Sequence, residues 1–368
     1  RQLAAMEDLV VEGLEETYCQ PCVSPIWDTC LAMSALTESG TPVDNSNMAR
    51  AVDWLMSKQV FVDGDWSVHA PQLEPGGWAF QYENDKYPDV DDTGMVLMGL
   101  LRGGAHLKDD DTRRRLKLGL DWLVGMQNPD GSWGAFDIGN NSSYLNNIPF
   151  ADHGALVDPG TSDLTARCIE LLAMVGYEKS SPVIDKALNF LKREQESNGA
   201  WYGRWGVNYI YGTWSVLAGL GAINEDHSAA YIQKAIKWLK ENQNEDGGWG
   251  ETCSSYDDFS FAGYGRSTPS QTAWALLGLL SVGEFKSISV ENGVNYLIKN
   301  QKEQGCWDES YFTGTGFPRV FYLRYHGYSQ YFPLWALSIY QRQCVGIDTR
   351  QTEVMSSTTI ELRKMLGL

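Results

Sequence analysis

Hydrophobic residues recur along most of this chain at three- and four-residue spacing, the period at which one face of an α-helix meets a core. Two kinds of segment alternate. Segments near 26–39, 90–103, 162–176, 209–222, 269–282 and 330–343 are apolar almost all round, as in Met95-Val96-Leu97-Met98 and Ala273-Trp274-Ala275-Leu276-Leu277. A helix of that composition is covered on every side. Segments near 45–58, 112–126, 182–195, 229–242, 289–301 and 350–366 keep charge on one face, as in Asp111-Thr112-Arg113-Arg114-Arg115. Six pairs, each with an inner and an outer helix, predict an all-α fold: a single (α/α)6 barrel, or α-toroid, spanning 1–368, with inner helices lining a central cavity. The period-two alternation of half-buried strands is scarce.

The helices are punctuated by a repeat in which a helix ends in Gln, a short polar turn with Gly follows, and Trp closes the unit. Its copies are Gln59 to Trp66, with a longer turn, then Gln127-Asn-Pro-Asp-Gly-Ser-Trp133, Gln195-Glu-Ser-Asn-Gly-Ala-Trp201, Gln243-Asn-Glu-Asp-Gly-Gly-Trp249 and Gln301-Lys-Glu-Gln-Gly-Cys-Trp307. Gly supplies the positive φ past a helix end, and Trp folds back so that the Gln amide stacks on its ring and bonds nearby backbone. Such a unit staples a helix to the next segment and needs no chemistry of its own. Between helices, long Gly- and aromatic-rich loops at 60–88, 128–160, 197–208, 248–268 and 305–328 are expected to gather at one mouth of the barrel, where long loops carry function.

Composition narrows the partners. A net charge of −18 with 29 Lys and Arg, none clustered into a stripe, argues against nucleic acid and predicts that any membrane contact is apolar and peripheral. No apolar run is long enough to span a bilayer and no signal peptide opens the chain, so a cytoplasmic protein is expected. Seven cysteines lie scattered, and Cys19-Gln-Pro-Cys22 has no second pair to complete a zinc site, which predicts reduced thiols. With 14 Trp, 18 Tyr and 12 Phe against five His, the chain is rich in π-faces and poor in metal ligands.

Asp89-Val90-Asp91-Asp92-Thr93 follows Tyr87-Pro88 and opens an inner helix. Acids there cap free N–H groups and meet the positive end of the helix dipole, and Asp109-Asp110-Asp111-Thr112 is read as such a cap. The first motif is set apart by heading a helix with almost no solvent face, just after the aromatic stretch Gly76-Gly77-Trp78-Ala79-Phe80-Gln81-Tyr82. Buried acids against aromatic walls suit protonation of an alkene. That step needs an acid whose conjugate base is stabilised by hydrogen bonds, a helix N-terminus and a nearby cation. Aromatic faces then stabilise the carbocation without offering it a basic lone pair. Taken alone, the motif leaves the cap and the acid both open.

Almost the whole chain resembles the C-terminal part of squalene–hopene cyclases, which are class II terpene cyclases. The resemblance rests on Ser24-Pro-Ile-Trp-Asp-Thr29, Gly76 to Gln81, Asp89 to Thr93, Gly203-Arg-Trp-Gly-Val-Asn-Tyr209, Ser267-Thr-Pro-Ser-Gln-Thr-Ala-Trp274, Gly314-Thr-Gly-Phe-Pro318 and the Gln-to-Trp repeats, which match that family's QW motifs. It implies that Asp91 donates the proton, that Asp89 and Asp92 orient and polarise it, and that Trp27, Phe80, Phe136, Trp205, Tyr211, Phe317, Phe321, Tyr325 and Tyr328 line the cavity. It implies a small hydrophobic polyprenyl substrate and no cofactor.

Two departures follow. Where the family has Asp-x-Thr-Ala-His, this chain has Asp163-Leu164-Thr165-Ala166-Arg167. Arginine cannot relay a proton, so Arg167 is expected to serve as a fixed cation anchored by Asp163 and acidifying Asp91; a structural Arg–Asp pair is the other reading. The family also joins two α-domains, whereas one barrel is expected here. A one-domain cavity favours a shorter substrate than squalene, a farnesylated aromatic giving a fused-ring meroterpenoid, with squalene or another linear terpene as the alternative. His153, in Phe150-Ala-Asp-His153, would then meet a polar headgroup or remain a loop residue.

The rival class is an (α/α)6 glycoside hydrolase pairing Asp91 with Asp257 or Asp258. A protein prenyltransferase would need an Asp, Cys and His zinc set, and a non-catalytic barrel would need no acid motif. No Asp-Asp-x-x-Asp, His-Glu-x-x-His, P-loop or Gly-x-Ser-x-Gly is present.

Overall fold

The computed structural model describes residues 7, 9–12, 17–20, 22–82, 84–142, 144–145, 148–149, 155–346 and 364. Eleven helices are described: α1 Pro25–Glu38, α2 Ser46–Ser57, α3 Val90–Arg102, α4 Asp110–Gly125, α5 Ser162–Met174, α6 Pro182–Arg193, α7 Tyr209–Ala222, α8 Ala230–Glu241, α9 Pro269–Ser281, α10 Ile288–Asn300 and α11 Tyr328–Cys344. The odd-numbered helices pack in cyclic order, α1 on α3 and so on to α11, which returns to α1. This closed ring is the expected α-toroid. The even-numbered helices pack outside it, each on the odd-numbered helix before it.

Burial explains the division. In α3, α7 and α9 nearly every residue is buried, Gly and Thr included, whereas α6 buries Ile184, Ala187, Leu188, Phe190 and Leu191 along one stripe. The expected outer helix at 350–366 lies, apart from residue 364, outside the described residues, as does His153. Two short antiparallel hairpins were not anticipated: β1 Val10–Glu12 with β2 Thr17–Cys19, and β3 Gly314–Phe317 with β4 Phe321–Leu323. All seven cysteines are free thiols.

The repeats are staples in fact. Gln127 Nε2 donates to the carbonyls of Gly131 (3.0 Å) and Val183 (2.8 Å), and Gln195 Nε2 to those of Gly199 and Tyr231, so each amide ties its own turn to the start of the next outer helix. Trp133, Trp201, Trp249 and Trp307 send their indole N–H back to the carbonyls of Leu123, Leu191, Leu239 and Leu297, each ten residues earlier. The first copy is corrected. Gln59 bonds to Gly76 O and Arg115 O, and the Trp whose indole N–H reaches back, to Leu55 O, is Trp78 and not Trp66. The first turn therefore holds an insertion, and Trp66 packs edge-on against Trp122 instead. A further regularity joins the units: the backbone N–H groups of Trp78, Trp133, Trp201 and Trp249 donate to the hydroxyls of Thr93, Thr165, Thr213 and Thr272 near the starts of α3, α5, α7 and α9.

Removing one staple has a defined cost. Gln127→Ala deprives two carbonyls of their shared donor and is expected to lower unfolding free energy by about 1–3 kcal/mol, read as a drop in urea midpoint at constant m.

The starts of α1, α3 and α11 supply residues to one cavity mouth, and charged side chains pair near the opposite ends of these helices. There Arg102, the last residue of α3, lies 3.7 Å from Glu38 and 3.3 Å from Glu170, with its guanidinium over Trp335; Arg342 pairs with the same Glu38. A cation at that position also meets the negative end of the helix dipole.

Candidate active site

Asp89 is the N-cap of α3. Its Oδ1 accepts from the backbone N–H groups of Asp91 (2.7 Å) and Asp92 (3.2 Å). This satisfies donors that would otherwise be orphaned in a buried helix end, and it turns the next two carboxyls into the first turn. Asp109 caps α4 in the same way, accepting from Thr112 N, on the protein surface. The two motifs look alike in sequence, yet all three carboxyl residues of the first are at most 7% exposed.

The cation of the site is Arg167, 2% exposed, on α5. Its Nε lies 2.5 Å from Asp91 Oδ1, Nη2 donates to Tyr211 Oη (2.9 Å), and Nη1 points at Met95 Sδ (3.0 Å). Its plane lies over Trp27 and Trp214, each 5.5 Å away. Burial works against its charge, but Asp91 and Tyr211 outweigh that and raise its affinity for the proton. Arg167 is therefore a permanent cation, as its residue type demands.

The expected anchor is different from the one found. Asp163 does not pair with Arg167. Its Oδ1 accepts from Thr161 Oγ1 (2.5 Å) and Leu164 N, and its Oδ2 from the backbone N–H of Arg204 (2.7 Å) and Trp205 (3.0 Å). Asp163 thus fixes the loop that leads into α7, while Arg167 reaches to the neighbouring ring helix α3.

Three carboxyls face one cation. Burial pushes Asp91 up to about 6, against the opposing pull of Arg167. Asp89 and Asp92 are held well above the usual carboxylate range, by burial first and then by the charges of their neighbours. One countercharge cannot support three buried carboxylates, so the cluster retains protons near neutrality.

All three aspartates line a cavity of 1110 Å³ at the mouth of the ring. Eight of the nine expected aromatics line it with them. The exception is Tyr211, which stands behind the wall, bonded to Arg167 and packed on Trp214 and Trp274. Trp27 donates its indole N–H to Tyr328 Oη (2.9 Å), which ties α1 to α11, and Tyr328 stacks on Tyr325 with ring centroids 4.3 Å apart. The β3–β4 hairpin brings Phe317 and Phe321. Glycine is required there: a Cβ on Gly316 would lie 2.0 Å from the Phe321 ring, and one on Gly314 would lie 2.4 Å from the Tyr325 ring.

Four of the five long loops meet at this mouth. The loop at 248–268 stands behind it, where Tyr256 Oη donates to the carbonyls of Gly203 and Gly206. Asp257 and Asp258 lie outside the cavity: the first is an exposed partner of Arg319 and the second caps a surface turn. Neither joins Asp91 as a second carboxyl.

Sequence reasoning missed three residues. Met95 follows Asp91 by four positions and Trp214 follows Tyr211 by three, spacings that share a helix face. Asp158 had no such signal. Its buried carboxylate accepts from three successive backbone N–H groups, those of Ala135, Phe136 and Asp137, and the Ala135 carbonyl accepts from Val90 N at the head of α3. It thereby couples the Phe136 loop to the acid helix.

Residues 23–342 match the model of the squalene-hopene cyclase C-terminal domain family. The chain is 53% identical over 348 residues to a squalene–hopene cyclase of Zymomonas mobilis, covering 92% of this chain and 53% of that protein. It is 49% identical over 341 residues to the squalene–hopene cyclase of Alicyclobacillus acidocaldarius, covering 91% and 54%. The chain thus spans about half the length of these relatives. In fold it resembles the type II terpene cyclase MstE from Scytonema, with a TM-score of 0.56 at 16% identity over 87% of this chain and 88% of that one. No described helix is long and apolar enough to cross a membrane. With its family matched over nearly all the described residues, this chain belongs to the squalene–hopene cyclase C-terminal domain family.

Proposed function

We propose that this chain carries the acid centre of a class II terpene cyclase and starts polyene cyclisation by protonating the terminal alkene of a polyprenyl substrate. The single observation behind this reading is the Asp91–Arg167 pair at the floor of an aromatic cavity. Neutral Asp91 gives its proton to the alkene carbon, the adjacent carbon becomes a tertiary cation, and the next double bond attacks it. Arg167 does not move a proton. It stabilises the Asp91 carboxylate as it forms, together with the N-terminal end of α3, and so makes the buried acid stronger than burial alone would leave it. Asp89 holds the helix start in place, and the surrounding rings meet the cation with π-density.

For the substrate, the relatives favour a linear triterpene such as squalene over the farnesylated aromatic expected from chain length. Proteins at 49–53% identity carry the name squalene–hopene cyclase, whereas MstE, which is solved with a geranylgeranyl dihydroxybenzoate, shares 15% identity and the fold alone. The test is incubation of the purified chain with squalene, geranylgeraniol and a farnesylated hydroxybenzoate, with products separated by mass spectrometry. Isomers of squalene are expected. Isomers of the aromatic substrate alone would restore the meroterpenoid reading, and no isomer of any of the three would sink the cyclase reading for this chain.

A further inference from the structure

Arg204 lines the cavity, yet it has no place in the acid centre. Its Nη1 donates to Thr315 Oγ1 (3.3 Å) and to the Gly316 carbonyl (3.1 Å), and Thr315 Oγ1 donates in return to the Arg204 carbonyl (2.7 Å). Its guanidinium carbon lies 4.1 Å from the Trp205 ring centroid and 5.7 Å from that of Phe317. From those two rings the contacts branch. Trp205 meets Phe136 edge-on at 6.3 Å, and Phe317 meets Phe321 at 5.5 Å. One planar group therefore touches both arms of the aromatic wall.

We propose that Arg204 is a positioning residue that sets the ring planes of Trp205 and Phe317, and through them Phe136 and Phe321, and so governs how completely the substrate cyclises. This rests on the cyclase reading above. A guanidinium suits the task because its plane stacks on an aromatic face while its edge spends fixed N–H donors, here on the β3 backbone. The backbone does not depend on that side chain. Asp163 holds the Arg204 and Trp205 amides, Val207 N donates to Thr313 O (2.9 Å), Thr315 N to Trp205 O (3.3 Å), and Gly206 bridges Gly314. Removing the guanidinium should leave the loop docked and free the rings. A cyclising chain held by loosened walls loses its fold part-way, and proton loss then yields isomers with fewer rings.

The test compares Arg204→Met and Arg204→Lys with the parent chain on squalene. Lysine keeps the charge but not the plane. Both variants are expected to raise the ratio of incompletely to fully cyclised isomers about ten-fold, whatever happens to total turnover, since misplacement of reacting groups by about 1 Å costs that much or more. An unchanged ratio in Arg204→Met overturns the proposal, as does a parental ratio in Arg204→Lys, which would make charge the operative property. If the parent itself forms no isomer, the cyclase reading fails instead. A crystal structure of Arg204→Met then decides the positioning role: Trp205 and Phe317 rings that keep their planes overturn it.

Discussion

Asp91→Asn is expected to remove isomer formation from every polyprenyl substrate, a loss of up to about 10⁴-fold given what a positioned general acid contributes. The amide is isosteric, occupies the same place in the first turn of α3, and has no proton acidic enough for an alkene. Asp89 should not substitute for it, because burial holds its carboxyl well above the usual carboxylate range and no ion pair with Arg167 offsets that, which leaves it a poor acid. The variant should fold. Arg167 loses its closest partner, but Asp92 remains within its electrostatic reach as a replacement countercharge. A far-UV and thermal comparison separates lost chemistry from lost structure. Residual isomers above the boiled-enzyme background, in a folded variant, would assign the proton to another group and break the proposed role of Asp91.

The helical ring was legible because burial writes itself into periodicity. Segments expected at 45–58 and 229–242 are found as Ser46–Ser57 and Ala230–Glu241, since a single apolar stripe fixes an outer helix to within a residue or two. What stayed hidden depends on contacts between elements. Trp66 is nearer in sequence to Gln59 and so mimics the Trp of the first repeat, while the insertion that displaces it in favour of Trp78 carries no period of its own. Asp163 and Arg167 are four apart on one helix face, which invites a pairing. The competing donors, the amides of Arg204 and Trp205, come from a loop 41 and 42 residues on and leave no mark near Asp163. Tyr211 shows the same limit from the other side: a motif placed it near the acid, but which side of the wall it occupies is decided by Arg167, whose guanidinium fills the space between it and Asp91.

Arg167→Gln should change both the height and the pH dependence of cyclisation. In the proposed mechanism the competent form of Asp91 is neutral, so the rate is expected to fall as pH rises through its pKa, and with Asp91 pushed up to about 6 the parent should lose activity above that point, about ten-fold per unit. Arg167 lowers that value, and its removal therefore moves the descending limb to higher pH. A weaker acid transfers its proton more slowly, so the plateau falls, by about 10²-fold or more if Arg167 supplies most of the charge that stabilises the conjugate base. The two effects run in opposite directions above pH 6, and only the full profile separates them. Stability supplies an independent check. A carboxyl whose folded pKa lies above its unfolded value costs stability above the unfolded value, and the loss grows as pH rises toward the folded one. Without Arg167 the aspartates move further in that direction, so the variant should melt closer to the parent at pH 5 than at pH 8. Arg167→His tests whether the fork of donors matters, since imidazole keeps a cation only at low pH. Full turnover at pH 8 in that variant would argue against any need for a permanent charge. A limb that stays near 6 in Arg167→Gln, with an unchanged plateau, would reduce Arg167 to a buried spacer between α3 and α5.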